Sequence, residues 1–298
     1  MASFVLSCCS TVDLTREHLE RRNIPYVCFH YTVNGETHPD DLWATTTPDA
    51  FYTAVSGGAA VTTSQVNIGE YLDHFSQFLS RGLDVLHVCF SSGLSGAYQS
   101  AQAAASIARE RFPERKLLIV DSLAASSGYG LMMDTLADLR DGGMGLEELY
   151  DWAMKNRLRL HHWFFSADLS SYVRGGRISK AAAIFGGLLN ICPLLDMDAD
   201  GRLTVRNRIR GKRRVIAEIV ERMAAFADGG TDYRGKCFLS NSLCPEDAQA
   251  VAEQVEKQFP AMNGKVLIHT VGTVIGCHTG IGTVALFFWG KDRSQMVY

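Results

Sequence analysis

The sequence predicts an α/β protein of two domains: an N-terminal parallel sheet with helices on both faces, then a C-terminal mixed α/β domain. Three observations predict this. Short apolar runs alternate with helical segments through the first half, as in a layered parallel sheet. The second half contains two strand-like runs joined directly at Asp200-Gly201, which requires antiparallel pairing. At 298 residues the chain is long enough for two domains of roughly 100–200 residues each.

In chain order, apolar runs starting at Phe4 (FVLSC), Ile24 (IPYVCFHYTV), Asp84 (DVLHVCF) and Lys116 (KLLIVD) predict four strands. Asn34-Gly35, between YTV and ETH, predicts a small hairpin after the second. Thr47-Pro48 supplies an N-cap and a first-turn proline for the helix DAFYTAV. Asn67 and Glu70 have capping-box spacing ahead of YLDHFSQFL, and Gly82 suits its C-terminal stop. The alanine-rich run from Ala97 predicts a helix, because alanine is the best helix former and the run lacks Gly and Pro. Two further helices are expected over 129–140 and 146–157.

The pattern changes near Arg159, which divides the chain into expected domains 1–159 and 160–298. From His161 the chain reads strand, helix, then the paired strands of ICPLLDMDADGRLTVRNR. A helix over 215–226 and the strand KCFLSNS follow. The helix from Pro245 places Ala248, Val251, Ala252, Val255 and Phe259 on one face. Strands KVLIHTV and TVALFFW complete the domain.

Composition excludes several functions. A net charge of -3 argues against a general nucleic-acid or acidic-membrane binder. No apolar run reaches the ~18 residues of a membrane span, and Met1–Phe4 lacks a basic signal-peptide region, so a cytoplasmic location without stable membrane insertion is expected. The eight cysteines form no CxxC pair and the nine histidines no HExxH pair, which predicts buried thiols and no metal site. No Walker A sequence is present, and no cofactor is expected.

Three polar segments are candidates for chemistry, because ligands of parallel α/β sheets gather beyond the carboxyl ends of the strands. They are Val61–Gln65, the stretch Ser91–Gly96 between a strand and the Ala97 helix, and Ile275–Gly282, each read as a turn. The second would expose hydroxyls and backbone N–H groups at a helix N-terminus, an arrangement suited to an anion. Each feature also has an ordinary reading: caps for the hydroxyls, a structural role for the histidine and relief of backbone strain for the glycines. Gly93-Leu94-Ser95-Gly96-Ala97 nearly matches the nucleophile elbow G-x-S-x-G. With Asp121 and His278 it follows the chain order of a hydrolase triad, so a serine hydrolase acting on an acyl ester is the alternative function.

TTSQ at 62–65, SSGLSGAYQSA at 91–101, VDS at 120–122, GGRISK at 175–180, LLNICP at 188–193 and HTGIGT at 278–283 occur in an order that resembles the DegV family. The resemblance covers essentially the whole chain. It implies a two-domain α/β fold similar to the lipid-binding subunit of bacterial fatty-acid kinase. Such a subunit is a non-catalytic carrier that presents a bound fatty acid to a separate kinase for acyl-phosphate formation. By motif position the carboxylate would be held by Thr63, Ser95 and His278, with the amides of Ser95 and Gly96 as further donors. Arg177 and Arg210 would face the partner. The chain departs from the family pattern at Cys9, where Asp is usual, at Val66 and Ile281, where Pro is usual, and at Cys192, where Lys is usual.

Physical chemistry fits that implication. Burying about fifteen methylenes at ~0.8 kcal/mol each supplies ~12 kcal/mol before ordering costs. Residues 181–189 (AAAIFGGLL) are the expected tunnel wall, since an ordinary core helix gains nothing from Gly186-Gly187. Neutral hydroxyl donors hold a carboxylate without locking it against phosphorylation. Arg202, Arg206, Arg208, Arg210, Lys212, Arg213 and Arg214 form a basic run in a slightly acidic chain. A solvated strand face is its ordinary reading, and docking to an acidic kinase surface its functional one.

Overall fold

The computed structural model describes residues 4–183 and 190–296. The strands before residue 122 are β1 (Phe4–Cys9), β2 (Tyr26–Val27), β3 (His30–Val33), β4 (Glu36–Pro39), β5 (Val61–Ser64), β6 (Asp84–Cys89) and β7 (Leu117–Asp121). Four of them form a parallel sheet in the order β2-β1-β6-β7. β6 is apolar almost throughout because both of its faces are covered. The helices Ile68–Leu79 and Ala97–Arg111 pack on each other and on β6, and Leu146–Asn156 also packs against β6 and β7. The capping box forms: Glu70 N donates to Asn67 Oδ1 at 3.0 Å, and Asn67 N donates to Glu70 Oε2 at 2.8 Å.

The run from Ile24 is not one strand. Tyr26–Val27 stays parallel to β1, whereas His30–Val33 turns away into an antiparallel sheet of order β4-β3-β5. Val61–Gln65 is therefore not a turn. Val61–Ser64 is a strand with Thr63 opposite Tyr31, and β-branched residues suit that half-exposed position.

The later strands are β8 (Leu160–Ser166), β9 (Ile191–Met197), β10 (Leu203–Arg210), β11 (Phe238–Asn241), β12 (Leu267–Thr270) and β13 (Thr283–Trp289). They form one sheet, order β10-β9-β8-β13-β11-β12, antiparallel except between β11 and β12. Alternation along β13 separates two cores. Val284, Leu286 and Phe288 face helices Lys212–Phe226 and Pro245–Gln258. Ala285 and Phe287 face the other way, into the cluster that contains the core of the N-terminal sheet. The cavity described below lies on this inner face.

Ile275–Gly282 is also not a simple turn, since Thr273–Thr279 is a helix ending at Gly280. Its glycines misled the sequence reading. Gly276 is there for close packing, because a Cβ would stand 2.8 Å from both the Phe51 ring and the Tyr52 hydroxyl. Ala181–Ala183 form a turn, and the rest of the expected tunnel wall, 184–189, lies outside the described residues. Among the described residues no helix is long and apolar enough to cross a membrane.

Candidate functional site

A cavity of about 670 Å³ lies between the inner face of the second sheet and the polar segments of the first half. Thr63 and Gln65, the turn Ser92–Gly96, Arg177 and His278 line one part of it. Phe90, Phe164, Val274, Ala285 and Phe287 line its apolar part. A more open cleft of about 1390 Å³, beside Ile24, Arg81 and Arg140, contains none of the expected site residues.

β5 and the Thr273–Thr279 helix bring the first pair together. Thr63 Oγ1 and His278 Nε2 are 2.8 Å apart. The other ring nitrogen, Nδ1, stands 3.5 Å from Arg177 Nη1, which can only donate. Nδ1 is thus the acceptor, so Nε2–H donates to Thr63 and leaves the threonine hydroxyl hydrogen free for a ligand. Burial, then the charges of Arg177 and Arg174, push His278 down to about 4, and the ring is neutral at pH 7. Its seat depends on Gly175, where a Cβ would fall 2.1 Å from His278 Nδ1.

Ser95 and Gly96 sit at the start of helix Ala97–Arg111, with Gly96 as its N-cap. Ser95 Oγ accepts from Ala97 N at 3.2 Å and donates to Gln65 Oε1 at 3.3 Å. Gln65 is held in turn, donating to Ser100 Oγ at 3.0 Å. The expected amide donor at Ser95 is already committed to Ser91 O at 3.2 Å, so of the two proposed amides Gly96 carries the expectation.

Arg177 is not an outward-facing residue. Half-buried in the cavity wall, it donates to Leu94 O at 3.3 and 3.0 Å and to Gly175 O at 2.5 Å. Its guanidinium therefore braces the carbonyl side of the Ser92–Gly96 turn. Arg210 is separate: it ends the sheet-edge strand β10, is exposed, and lies outside the cavity lining. The hairpin leading into β10 touches the same turn, with Ser91 Oγ donating to Gly201 O at 2.8 Å.

The hydrolase order Ser95, Asp121, His278 is not assembled as a triad. Asp121 Oδ1 accepts from Ser92 N and Leu123 N, each at 3.1 Å, while His278 is bonded to Thr63 and Ser95 to Gln65. The sequence reading missed the parts played by Gln65 and Gly175. Both lie inside the quoted segments TTSQ and GGRISK, but neither spacing nor residue type shows which side chain they meet.

Residues 9–291 match the family described as uncharacterised protein, DegV family. This chain belongs to the DegV family. A DegV domain-containing protein of Lactococcus lactis, YteA, is 36% identical over 280 residues, covering 93% of this chain and 94% of that protein. A solved DegV family protein from Thermus thermophilus, described for its fatty acid binding, is 29% identical with a TM-score of 0.85, covering 97% of this chain and 99% of that one. The Streptococcus pneumoniae fatty acid kinase (Fak) B3 protein, solved loaded with linoleic acid, shares the fold at 21% identity. Its TM-score is 0.83, over 98% of this chain and 100% of that one.

Within this DegV chain the departures from the family pattern are accommodated by packing. Cys9 is fully buried, with its Sγ 3.2 Å from Tyr71 Oη, and burial pushes its thiol up to about 11. Val66 is fully buried just before the Asn67 cap. Cys192 is buried on β9 opposite Ile209. Ile281 is half-buried against the main core.

Proposed function

We propose that this DegV protein is a non-catalytic carrier. It binds one long-chain fatty acid, of roughly C16 to C18 length, and presents the carboxylate to a separate fatty-acid kinase. The observation that carries this reading is one cavity whose lining combines the cluster of Thr63, Ser95, Arg177 and His278 with the apolar side chains of Phe90, Phe164, Val274, Ala285 and Phe287. A fatty acid likewise combines a polar carboxylate with an apolar chain, and a cavity of about 670 Å³ is of ordinary size for a ligand site. The fatty-acid binding described for the Thermus relative supports it.

The carboxylate accepts hydrogen bonds from Thr63 Oγ1, Ser95 Oγ and Gly96 N. For this the Ser95 hydroxyl turns from Gln65 toward the ligand, while His278 keeps Thr63 oriented. Arg177 adds positive charge while three of its five N–H groups are engaged by Leu94 and Gly175 and a fourth faces His278 Nδ1, which leaves too few for a bidentate clamp. A carboxylate oxygen then remains a nucleophile toward the γ-phosphorus of a nucleotide held by the kinase. A carbon-bound oxygen bonds to that phosphorus, its bond to the bridging oxygen breaks, and the nucleoside diphosphate leaves with the electron pair. Arg210, exposed at the edge of the second sheet, docks the kinase. A cytoplasmic location is supported by the eight free cysteines, which suit a reducing compartment.

Denaturing mass spectrometry of protein purified from a bacterial host tests this reading. A single fatty acid per chain is expected. Ligand-free protein that also fails to take up added fatty acid would overturn it.

A further inference from the structure

Thr63 and Ser95 offer a carboxylate unequal donors. The Thr63 hydroxyl hydrogen is free, because His278 donates to Thr63. The Ser95 hydroxyl hydrogen is given to Gln65 Oε1 at 3.3 Å. A hydroxyl has a single hydrogen to donate, so a carboxylate takes it only by displacing Gln65.

Gln65 is held over the turn from a second point. Its Nε2 donates to Ser100 Oγ at 3.0 Å, within helix Ala97–Arg111. The carboxamide lies across the turn backbone: a Cβ added to Gly96 would fall 2.8 Å from Gln65 Oε1 and 3.2 Å from its Nε2. Gln65 Oε1 therefore sits beside both Ser95 and Gly96, the two turn residues assigned above to a carboxylate oxygen.

Both oxygens are sp² acceptors, but only the carboxylate is charged. A charge-assisted hydrogen bond is roughly twice as strong as a neutral one, so the carboxylate wins at Ser95. What reaches the measured affinity is the difference between the two bonds. Gln65 is exposed as well as lining the cavity, so its displaced carboxamide turns into water and leaves no polar group buried without a partner.

Resting on the fatty-acid reading above, we propose that Gln65 is a tethered competitor for the ligand carboxylate. It lowers the affinity of the site and recaptures the Ser95 hydroxyl each time the acid or its acyl phosphate leaves. The test measures stearic acid affinity of delipidated protein by displacement of a fluorescent fatty acid, with folding checked by thermal melting. Gln65→Ala is expected to bind about threefold tighter than wild type, the gain expected when one neutral hydrogen bond no longer has to be broken. Ser100→Ala, at a residue outside the cavity lining, should shift affinity in the same direction by releasing the Gln65 anchor. In a Ser95→Ala background the gain from Gln65→Ala should disappear, since no Ser95 donor is left to compete for. Unchanged or weaker binding in Gln65→Ala and Ser100→Ala overturns the proposal, as does a gain that persists without the Ser95 hydroxyl. Wild-type protein that binds stearic acid while the variants show no gain removes only the role of Gln65. Wild-type protein that fails to bind stearic acid removes the fatty-acid reading as well.

Discussion

Thr63 Oγ1 and His278 Nε2 lie 2.8 Å apart across 215 residues of chain. The contact joins a strand of the small antiparallel sheet to a helix just before the last strand, so the site exists only when both halves are folded. Arg177 on the far side of the ring sets the tautomer, and the tautomer aims the Thr63 hydroxyl.

Thr63→Val and Ser95→Ala should each weaken fatty-acid binding by some tens of times. Each removes one hydrogen bond to a charged group, worth about 1.5–3 kcal/mol. Displacement of a fluorescent fatty acid measures it, and unchanged affinity in both variants would move the carboxylate elsewhere.

Gly175→Ala should also weaken binding, by about tenfold, although the side chain it adds is one methyl group. The new Cβ would fall 2.1 Å from His278 Nδ1, so the ring must leave its seat. Overpacking of this kind costs about 1–3 kcal/mol. A variant with wild-type melting and wild-type affinity would show that the ring position does not matter.

Arg177 and Arg210 should separate. Arg210→Ala is expected to slow acyl-phosphate formation by the cognate kinase, increasingly at low salt where exposed charges act furthest, while leaving fatty-acid affinity intact. Arg177→Ala should lose fatty-acid affinity, because its guanidinium holds Leu94 and Gly175 in the cavity wall. Equal loss of lipid binding in both variants would count against a docking role for Arg210.

Fluorophosphonate probes should leave Ser95 unlabelled. Its hydroxyl is bonded to Gln65 rather than to a base, and His278 and Asp121 are engaged elsewhere. Stoichiometric labelling that disappears in His278→Ala would establish catalysis instead.

Acid should destabilise the fold before carboxylate chemistry dominates. Burial, acting first in each case, pushes His74, His161, His269 and His278 down to about 4 and holds His87 and His162 well below the usual histidine range. The unfolded chain takes up these protons near pH ~6.5. Stability is therefore full above that pH and declines as pH falls toward about 4, where the folded rings titrate. Asp13 and Asp40, pushed up by burial, act in the opposite sense but are fewer. Melting temperature should drop between pH ~7.5 and ~5, and His74→Phe, whose ring is packed against Phe78, should flatten that slope. A flat wild-type profile would contradict the assignment.

Local chemistry made much of this protein legible in its sequence. The capping box at Asn67, the Thr47-Pro48 helix start, the Asn34-Gly35 hairpin and the pairing across Asp200-Gly201 all depend on residues within a few positions of one another. The motif order of the DegV family was legible for the same reason, as a string of short local segments. Val61–Ser64 was misread because strand pairing depends on a distant partner, here Tyr31 and its neighbours. Ile275–Gly282 was misread because Gly276 answers to the rings of Phe51 and Tyr52, more than two hundred residues earlier in the chain.

The sequence by itself determined which residue types were available at the site: hydroxyls, a histidine, arginines and a polar turn at a helix start. Only the tertiary structure decided their roles. It turned Arg177 inward, set His278 neutral between Thr63 and Arg177, and gave Ser95 to Gln65. The physical reason is that hydrogen-bond direction, tautomer and protonation depend on neighbours within a few ångströms. Folding brings those neighbours from opposite ends of the chain, a distance over which residue spacing carries no information.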